Sequence, residues 1–388
     1  MQHEKSKLGL LDRRSVLLGT AGLASMAPAA AYSKSTPASS DWTGVEDAAS
    51  KAIDARLTSG TSVAVMKDGK LIYSKGFGLA NLETQTPVTT QTVFRIGSVT
   101  KQFIAAMALV LQDQGVLSVD DPLSRYYPDF PRSNDIIIRQ LATHTSGLGN
   151  YTELKNRRIL ERAEYTSEAY LSDVLQASDP LFIHEPGAFY RYSNTGYGLL
   201  GLVIEKVTGQ AYKDVLDEYI FRPLNLRNTA VDNEFDVVPN RASGYAHNEE
   251  RPGFIHAAFN SMTFPAAAGA MRSTAEDLCT WHSALLNHRL LKPETFENIM
   301  RAPAPLMNGE VYEYGFGLGL VERDGPFKGQ KTLAHGGGIY GFKSHLRTFP
   351  EERVTVACIF NTYDSDKEVF APAFDAIKNQ AALSALAS

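Results

Sequence analysis

Phe94-Arg95-Ile96-Gly97-Ser98-Val99-Thr100-Lys101 leads straight into Gln102-Phe103-Ile104-Ala105-Ala106-Met107-Ala108-Leu109-Val110-Leu111-Gln112-Asp113-Gln114. The second half is apolar on nearly every side, which predicts a buried helix over Val99 to Gln114, stopped by Gly115. Ser98 falls at the expected N-cap of that helix. Lys101 is three residues on, hence on the same face about one turn away. A serine hydroxyl is a weak nucleophile until a neighbour takes its proton. A lysine desolvated against an apolar helix loses basicity and can serve as that neighbour. The helix N-terminus also favours negative charge at Ser98. Taken alone, S-x-x-K is as well explained by a capping serine and a snorkelling lysine, so its weight depends on the rest of the chain.

Outward from this stretch the two chain ends read as strands. Thr61 to Met66 and Leu71 to Ser74 flank Lys67-Asp68-Gly69-Lys70, a strong hairpin signal. Tyr314 to Val321, Lys331 to Ala334, Ser344 to Phe349 and Val354 to Phe360 are short β-prone runs separated by Gly, Pro, Asp and Asn. Helices are expected over Val45 to Leu57 and Val369 to Leu386, and the middle of the chain is helical in texture, with amphipathic runs at Leu199 to Thr208 and Tyr212 to Tyr219. The expected fold is therefore α+β: an antiparallel sheet built from both chain ends and flanked by helices, with a mostly helical lobe inserted. The sheet lobe would comprise about 45–97 and 265–388, the helical lobe about 98–264, with a cleft between them.

Three further clusters carry possible chemistry. Tyr192-Ser193-Asn194 follows the turn Glu185-Pro186-Gly187. A tyrosine beside a lysine ammonium ionises cheaply and can shuttle protons, and Asn194 can hydrogen-bond both Lys101 and a substrate carbonyl. His335-Gly336-Gly337-Gly338 follows a strand-like run, where glycines allow a ligand close to the backbone and an edge can donate N–H groups to an oxyanion. Leu141 to Leu148, with His144, is read as mostly structural. G-x-S-x-G is absent, as is a P-loop pattern.

S-x-x-K, Y-x-N and H-G-G thus occur in that chain order. With them the chain resembles the serine β-lactamase and penicillin-binding protein superfamily, in particular its class C β-lactamase, D-alanyl-D-alanine carboxypeptidase and β-lactamase-like esterase branch. Leu117 to Pro122, Thr143 to Leu148, Pro186-Gly187 with Tyr192 to Tyr197, and Ser273 to Leu278 also look like family segments in family order, so the likeness spans roughly residues 45–375. It implies an acyl-enzyme hydrolase of small amides or esters, a D-amino-acid peptidase, carboxypeptidase or esterase, with a β-lactamase or a penicillin-binding sensor as the alternative. Ser98 would be acylated, Lys101 and Tyr192 would move protons, Asn194 would contact substrate, and the amides of Ser98 and Gly338 would hold the oxyanion. The family's Lys-Thr/Ser-Gly is replaced here by His335-Gly336-Gly337. An imidazole of pKa near about 6.5 stands in for a permanent ammonium, which weakens β-lactam carboxylate recognition and predicts a pH-dependent grip on anionic substrates. Asn150 or Tyr151 stands where class C enzymes have a glutamine.

The chain has 388 residues, 44% hydrophobic and 21% charged, with net charge −5 and the signs interspersed. No basic stripe points to nucleic acid or an anionic membrane surface. Residues 1–31 are the exception. Lys5, Lys7, Arg13 and Arg14 precede the apolar Val16 to Met26, and Ala27-Pro28-Ala29-Ala30-Ala31 offers cleavage sites, the layout of a signal peptide. Arg13-Arg14 resembles the twin-arginine export signal. A periplasmic or secreted location is expected, with a flexible leader over 32–44 and no membrane anchor after cleavage, since no cysteine stands near the cut. Removal of residues 1–31 takes four basic and two acidic side chains and moves the net charge from −5 to −7. Cys279 and Cys358 are expected to be two buried free thiols. The nine histidines lack metal-ligand spacing, so neither metal nor cofactor is expected, and the partner is a small-molecule or peptide substrate. Nothing in the sequence sets an oligomeric state.

Overall fold

Gly60–Lys67 alternates between two apolar layers: Val63 and Val65 enter one core, Ala64 and Met66 the other. A strand buried on both faces must lie in the middle of a sheet, and it does. In the computed structural model, which describes residues 41–247, 253–299, 303–305, 309–363 and 371–388, it pairs antiparallel with Lys70–Asn81 and with Val354–Phe360. The sheet continues through Phe342–Phe349, Lys331–Ile339, Leu318–Val321 and Val311–Gly315. Thr86–Pro87 and Pro303–Pro305 form its outer edges, where proline removes a donor that would invite further pairing. The chain ends thus meet in one antiparallel sheet, as the sequence implied.

Thr43–Asp54 and Ala371–Ala387 cover one face of this sheet around Phe349, Val356, Phe360, Phe374 and Ile377. The other face carries Ala275–Leu286 and, beyond it, the inserted lobe. That lobe is mostly helical but includes short strands at Ala230–Val231, Tyr245–His247 and Phe254–His256. At its heart lies Thr100–Asp113, buried from Thr100 to Leu111, with Phe103 stacked on Trp281. Cys279, on the helix Ala275–Leu286, packs in the core on that helix's side of the sheet, while Cys358, on the strand Val354–Phe360, belongs to the core on the other side, and both thiols are free.

Two local expectations change. Tyr314 to Val321 is not one strand but two, turned at Phe316 and Gly317 (φ 47° and 85°). Both positive values suit the tight hairpin turn that matches strand twist. A Cβ on Gly317 would lie 2.8 Å from the Gln102 nitrogen, so this turn seats against the buried helix. Ser98 is not the helix N-cap. It sits inside the 3-10 turn Gly97–Val99, and the α-helix begins at Thr100. The expected export signal, residues 1–31, and most of the leader lie outside the described residues. The leader's last two residues, Thr43 and Gly44, already belong to the first helix.

Burial of imidazoles gives the fold a pH liability. His282 hydrogen-bonds Thr348 and Gln102 inside the core, and burial pushes its pKa down to about 3. Burial, with the nearby Lys101, holds His144 well below its usual range. Both rings are neutral in the fold and protonate near 6.5 once unfolded, so below that pH unfolding takes up protons and stability falls. The expected loss is about 4 kcal/mol by pH 5 from these two residues. Urea midpoints at pH 7 and pH 5 read it, and His282→Gln should shrink the loss by about 2 kcal/mol. A midpoint that does not move between the two pH values would contradict it.

Candidate active site

The 3-10 turn that carries Ser98 is pressed against the strand Lys331–Ile339. A Cβ on Gly337 would lie 2.0 Å from the Ile96 carbonyl oxygen, and one on Gly97 would lie 2.8 Å from the Gly338 nitrogen. Only glycines permit that approach, and Ser344 Oγ fastens it by donating to the Ile96 carbonyl at 2.7 Å. The same contact brings the Gly338 backbone to the edge of the recess where Ser98 lies, a cavity of about 160 Å³ also lined by Asn194, Tyr151 and Phe264.

Ser98, half-buried, meets both other members of the expected trio. Tyr192 Oη donates to Ser98 Oγ at 2.8 Å, and Lys101 Nζ lies 3.1 Å from the same oxygen. Lys101 is fully buried. Its nitrogen also donates to Asn194 Oδ1 at 2.8 Å and to the Ala268 carbonyl at 2.7 Å. Desolvation holds its pKa well below the usual lysine range. Burial pushes the Tyr192 phenol the other way, above its usual 10, only partly offset by the bond to Ser98. Of the two arrangements the sequence allowed, burial favours the unprotonated amine as base over an ammonium beside a tyrosinate, because both groups are taken from water.

His335 lies near this trio, its ring 6.3 Å from that of Tyr192, but both its nitrogens are engaged. Nδ1 is 2.6 Å from the Gly336 carbonyl and therefore carries the proton, and Nε2 accepts from Tyr314 Oη at 3.1 Å. Burial, then Lys101, pushes its pKa down to about 4. The expected titration between pH 6 and 7 is thus displaced to acid, and the ring is neutral at pH 7.

His144 is buried, in a left-handed conformation (φ 59°). Its Nδ1 accepts from the Ser193 amide at 3.1 Å, and its ring lies 4.3 Å from that of Tyr192, so it props the Tyr192–Asn194 segment from behind. Of Asn150 and Tyr151, it is Asn150 that reaches the site, accepting from Asn194 Nδ2 at 3.2 Å, while Tyr151 forms part of the cleft wall. The Ala268 carbonyl was invisible in the sequence, since any residue supplies one. The tyrosines Tyr190, Tyr312 and Tyr314, which with Tyr197 surround His144, Tyr192 and His335, carried no motif. Among the described residues no group of three or more His, Cys, Asp or Glu is placed to hold a metal ion.

Comparison with known proteins places this geometry. The Beta-lactamase family model matches residues 45–380. Penicillin-binding protein 4* of Bacillus subtilis (strain 168) is 28% identical over 322 residues, covering 77% of this chain and 67% of that protein. A D-aminopeptidase of Gluconobacter oxydans (strain 621H) is 28% identical over 316 residues, covering 81% of this chain but only 58% of its own length. Among solved structures, the D-amino acid amidase from Ochrobactrum anthropi SV3, complexed with L-phenylalanine amide, superposes with a TM-score of 0.77 at 26% identity, covering 89% of this chain and 98% of that one.

Proposed function

The chain belongs to the Beta-lactamase family and is a serine hydrolase, and from that premise we propose that it is an exported acyl-transfer amidohydrolase acting on D-amino-acid amides or peptides, with Ser98 as nucleophile. The observation that carries the mechanism is the coordination of Lys101. A neutral amine has two N–H donors and one lone pair. Asn194 Oδ1 and the Ala268 carbonyl take the donors, which leaves the lone pair for the Ser98 hydroxyl. Lys101 then accepts the Ser98 proton as Oγ bonds to the substrate carbonyl carbon. The amides of Ser98 and Gly338 stabilise the oxyanion, the largest single contribution in such reactions. As the carbon–nitrogen bond breaks, Tyr192 gives its proton to the leaving amine and is reprotonated from Lys101. A water molecule repeats the sequence in reverse to free Ser98.

The D-amino-acid reading is supported by the named activities of the D-aminopeptidase and the D-amino acid amidase. It is also supported by His335, a neutral and doubly bonded ring where β-lactamases of this family have a free ammonium for the substrate carboxylate. Purified enzyme should hydrolyse D-alaninamide. Against it, kcat/KM for nitrocefin should be lower by about 10²–10³, the worth of one or two hydrogen bonds between charged groups, and the ratio of the two should stay flat between pH 6 and 7. Nitrocefin turnover matching that of the amide would favour a β-lactamase. The likeness to a penicillin-binding protein supports a sensor as second reading, whose mark is a stable β-lactam adduct without turnover. Export rests on Arg13-Arg14 and the apolar Val16 to Met26, and N-terminal sequencing of enzyme recovered outside the cytoplasm should begin near residue 32.

A further inference from the structure

The cleft is unequal on the two sides of Ser98. A leaving group departs toward its proton donor, and Tyr192 faces a hollow of about 490 Å³ that it shares with His335, Tyr312 and Arg323. The acyl group must then lie on the opposite side, in the recess of about 160 Å³ that contains Ser98, Asn194 and Gly338. At about 30 Å³ per water molecule, that recess has room for roughly five waters, a short acyl chain or one small amino-acid residue.

Its far end is closed by side chains from both lobes. Tyr340, in the turn after the strand Lys331–Ile339, lies beside the short helix Arg157–Leu160. Its hydroxyl accepts from Arg157 Nη2 at 3.0 Å and from Arg158 Nη1 at 2.5 Å, and donates to the Glu161 carboxylate, 3.2 Å from either oxygen. Arg157 Nε lies 3.0 Å from Glu161 Oε1, and Glu161 is itself buried. Charge-assisted bonds of this kind hold a geometry far better than a lone aromatic ring would. A substrate extended beyond the recess would have to break them and leave Glu161 buried with one partner fewer.

We propose that Tyr340, clamped by Arg157, Arg158 and Glu161, is a specificity-determining end wall that limits the acyl group to about one residue and makes the enzyme exo-acting, while the leaving-group side accepts long chains. This rests on the roles given to Ser98 and Tyr192 above. The test uses p-nitrophenyl esters, which share one leaving group and differ only in acyl length, so that it is independent of the D-amino-acid reading. For the unmodified enzyme kcat/KM should drop by at least about 10- to 200-fold from butyrate to octanoate, the discrimination that a pocket of fixed shape exerts on a methylene or more. Tyr340→Ala should raise the octanoate-to-butyrate ratio by about 10-fold or more, and Arg158→Ala, which removes one exposed donor, should move it the same way by less. Should Tyr340→Ala not fold, the wild-type series and Arg158→Ala still decide. Ser98-dependent turnover that is indifferent to acyl length overturns the wall and leaves the nucleophile standing. Ester turnover unaffected by Ser98→Ala overturns the nucleophile, and the wall with it.

Discussion

Ser98→Ala is expected to lower kcat for amide and ester substrates by about four to six orders of magnitude, the range seen when the nucleophile of a serine hydrolase is removed. The substitution deletes one oxygen from a half-buried turn. The bond from Tyr192 and the contact with Lys101 are lost, but the turn stays seated on Gly337 and Gly338. The variant should therefore unfold in urea near the wild-type midpoint while failing to acquire the mass of a fluorophosphonate adduct. Comparable turnover by a correctly folded variant would remove Ser98 from the chemistry altogether.

Lys101→Met should cost about 10²–10⁴ in kcat/KM, the usual contribution of a positioned base. Lys101→Arg should not restore it, because a guanidinium stays charged and has no lone pair to offer. The pH profile separates this role from that of a permanent ammonium. Burial holds the Lys101 amine well below its usual range, so its active, unprotonated form persists at pH values where an ordinary lysine is protonated. Activity should rise from acid pH to a plateau reached well below the ordinary lysine pKa of about 10.4. Were the ammonium the working form, activity would instead be full at acid pH and decline as the amine lost its proton. Because His282 and His144 destabilise the fold in acid, initial rates must be taken within the pH range where the urea midpoint shows the enzyme folded.

Much of the machinery was legible from short spacings. Ser98 and Lys101 are three residues apart at the start of an apolar run, which constrains both to one face whatever else the chain does. Gly337 and Gly338 announced a backbone contact, and the contact is there, against Ile96 and Gly97. Tyr192 and Asn194 were not determined by spacing. They joined the site because resemblance to a known family ordered the motifs, and the structure brings them within hydrogen-bonding distance of Ser98 and Lys101 across more than ninety residues. The hairpin at Phe316 and Gly317 escaped notice because Phe-Gly is a weak turn signal, and its positive φ at a phenylalanine is tolerated only where the turn seats against the buried helix.

By itself the sequence determined which side chains are present and how local ones are spaced: the sheet from both chain ends, the buried helix, the serine with its lysine, and the imidazole in place of an ammonium. The tertiary structure alone decided their state. Lys101 loses basicity because helices from distant parts of the chain exclude water from it, while the Asn194 and Ala268 oxygens hold its nitrogen in place. His335 is a neutral ring because burial, then the nearby Lys101, pushes its pKa down to about 4. The acyl recess ends where it does because Tyr340 meets Arg157 and Glu161 from the other lobe. Desolvation and hydrogen bonding between remote segments exist only once the chain is folded, and they set protonation and reach, the two properties that a list of residues does not contain.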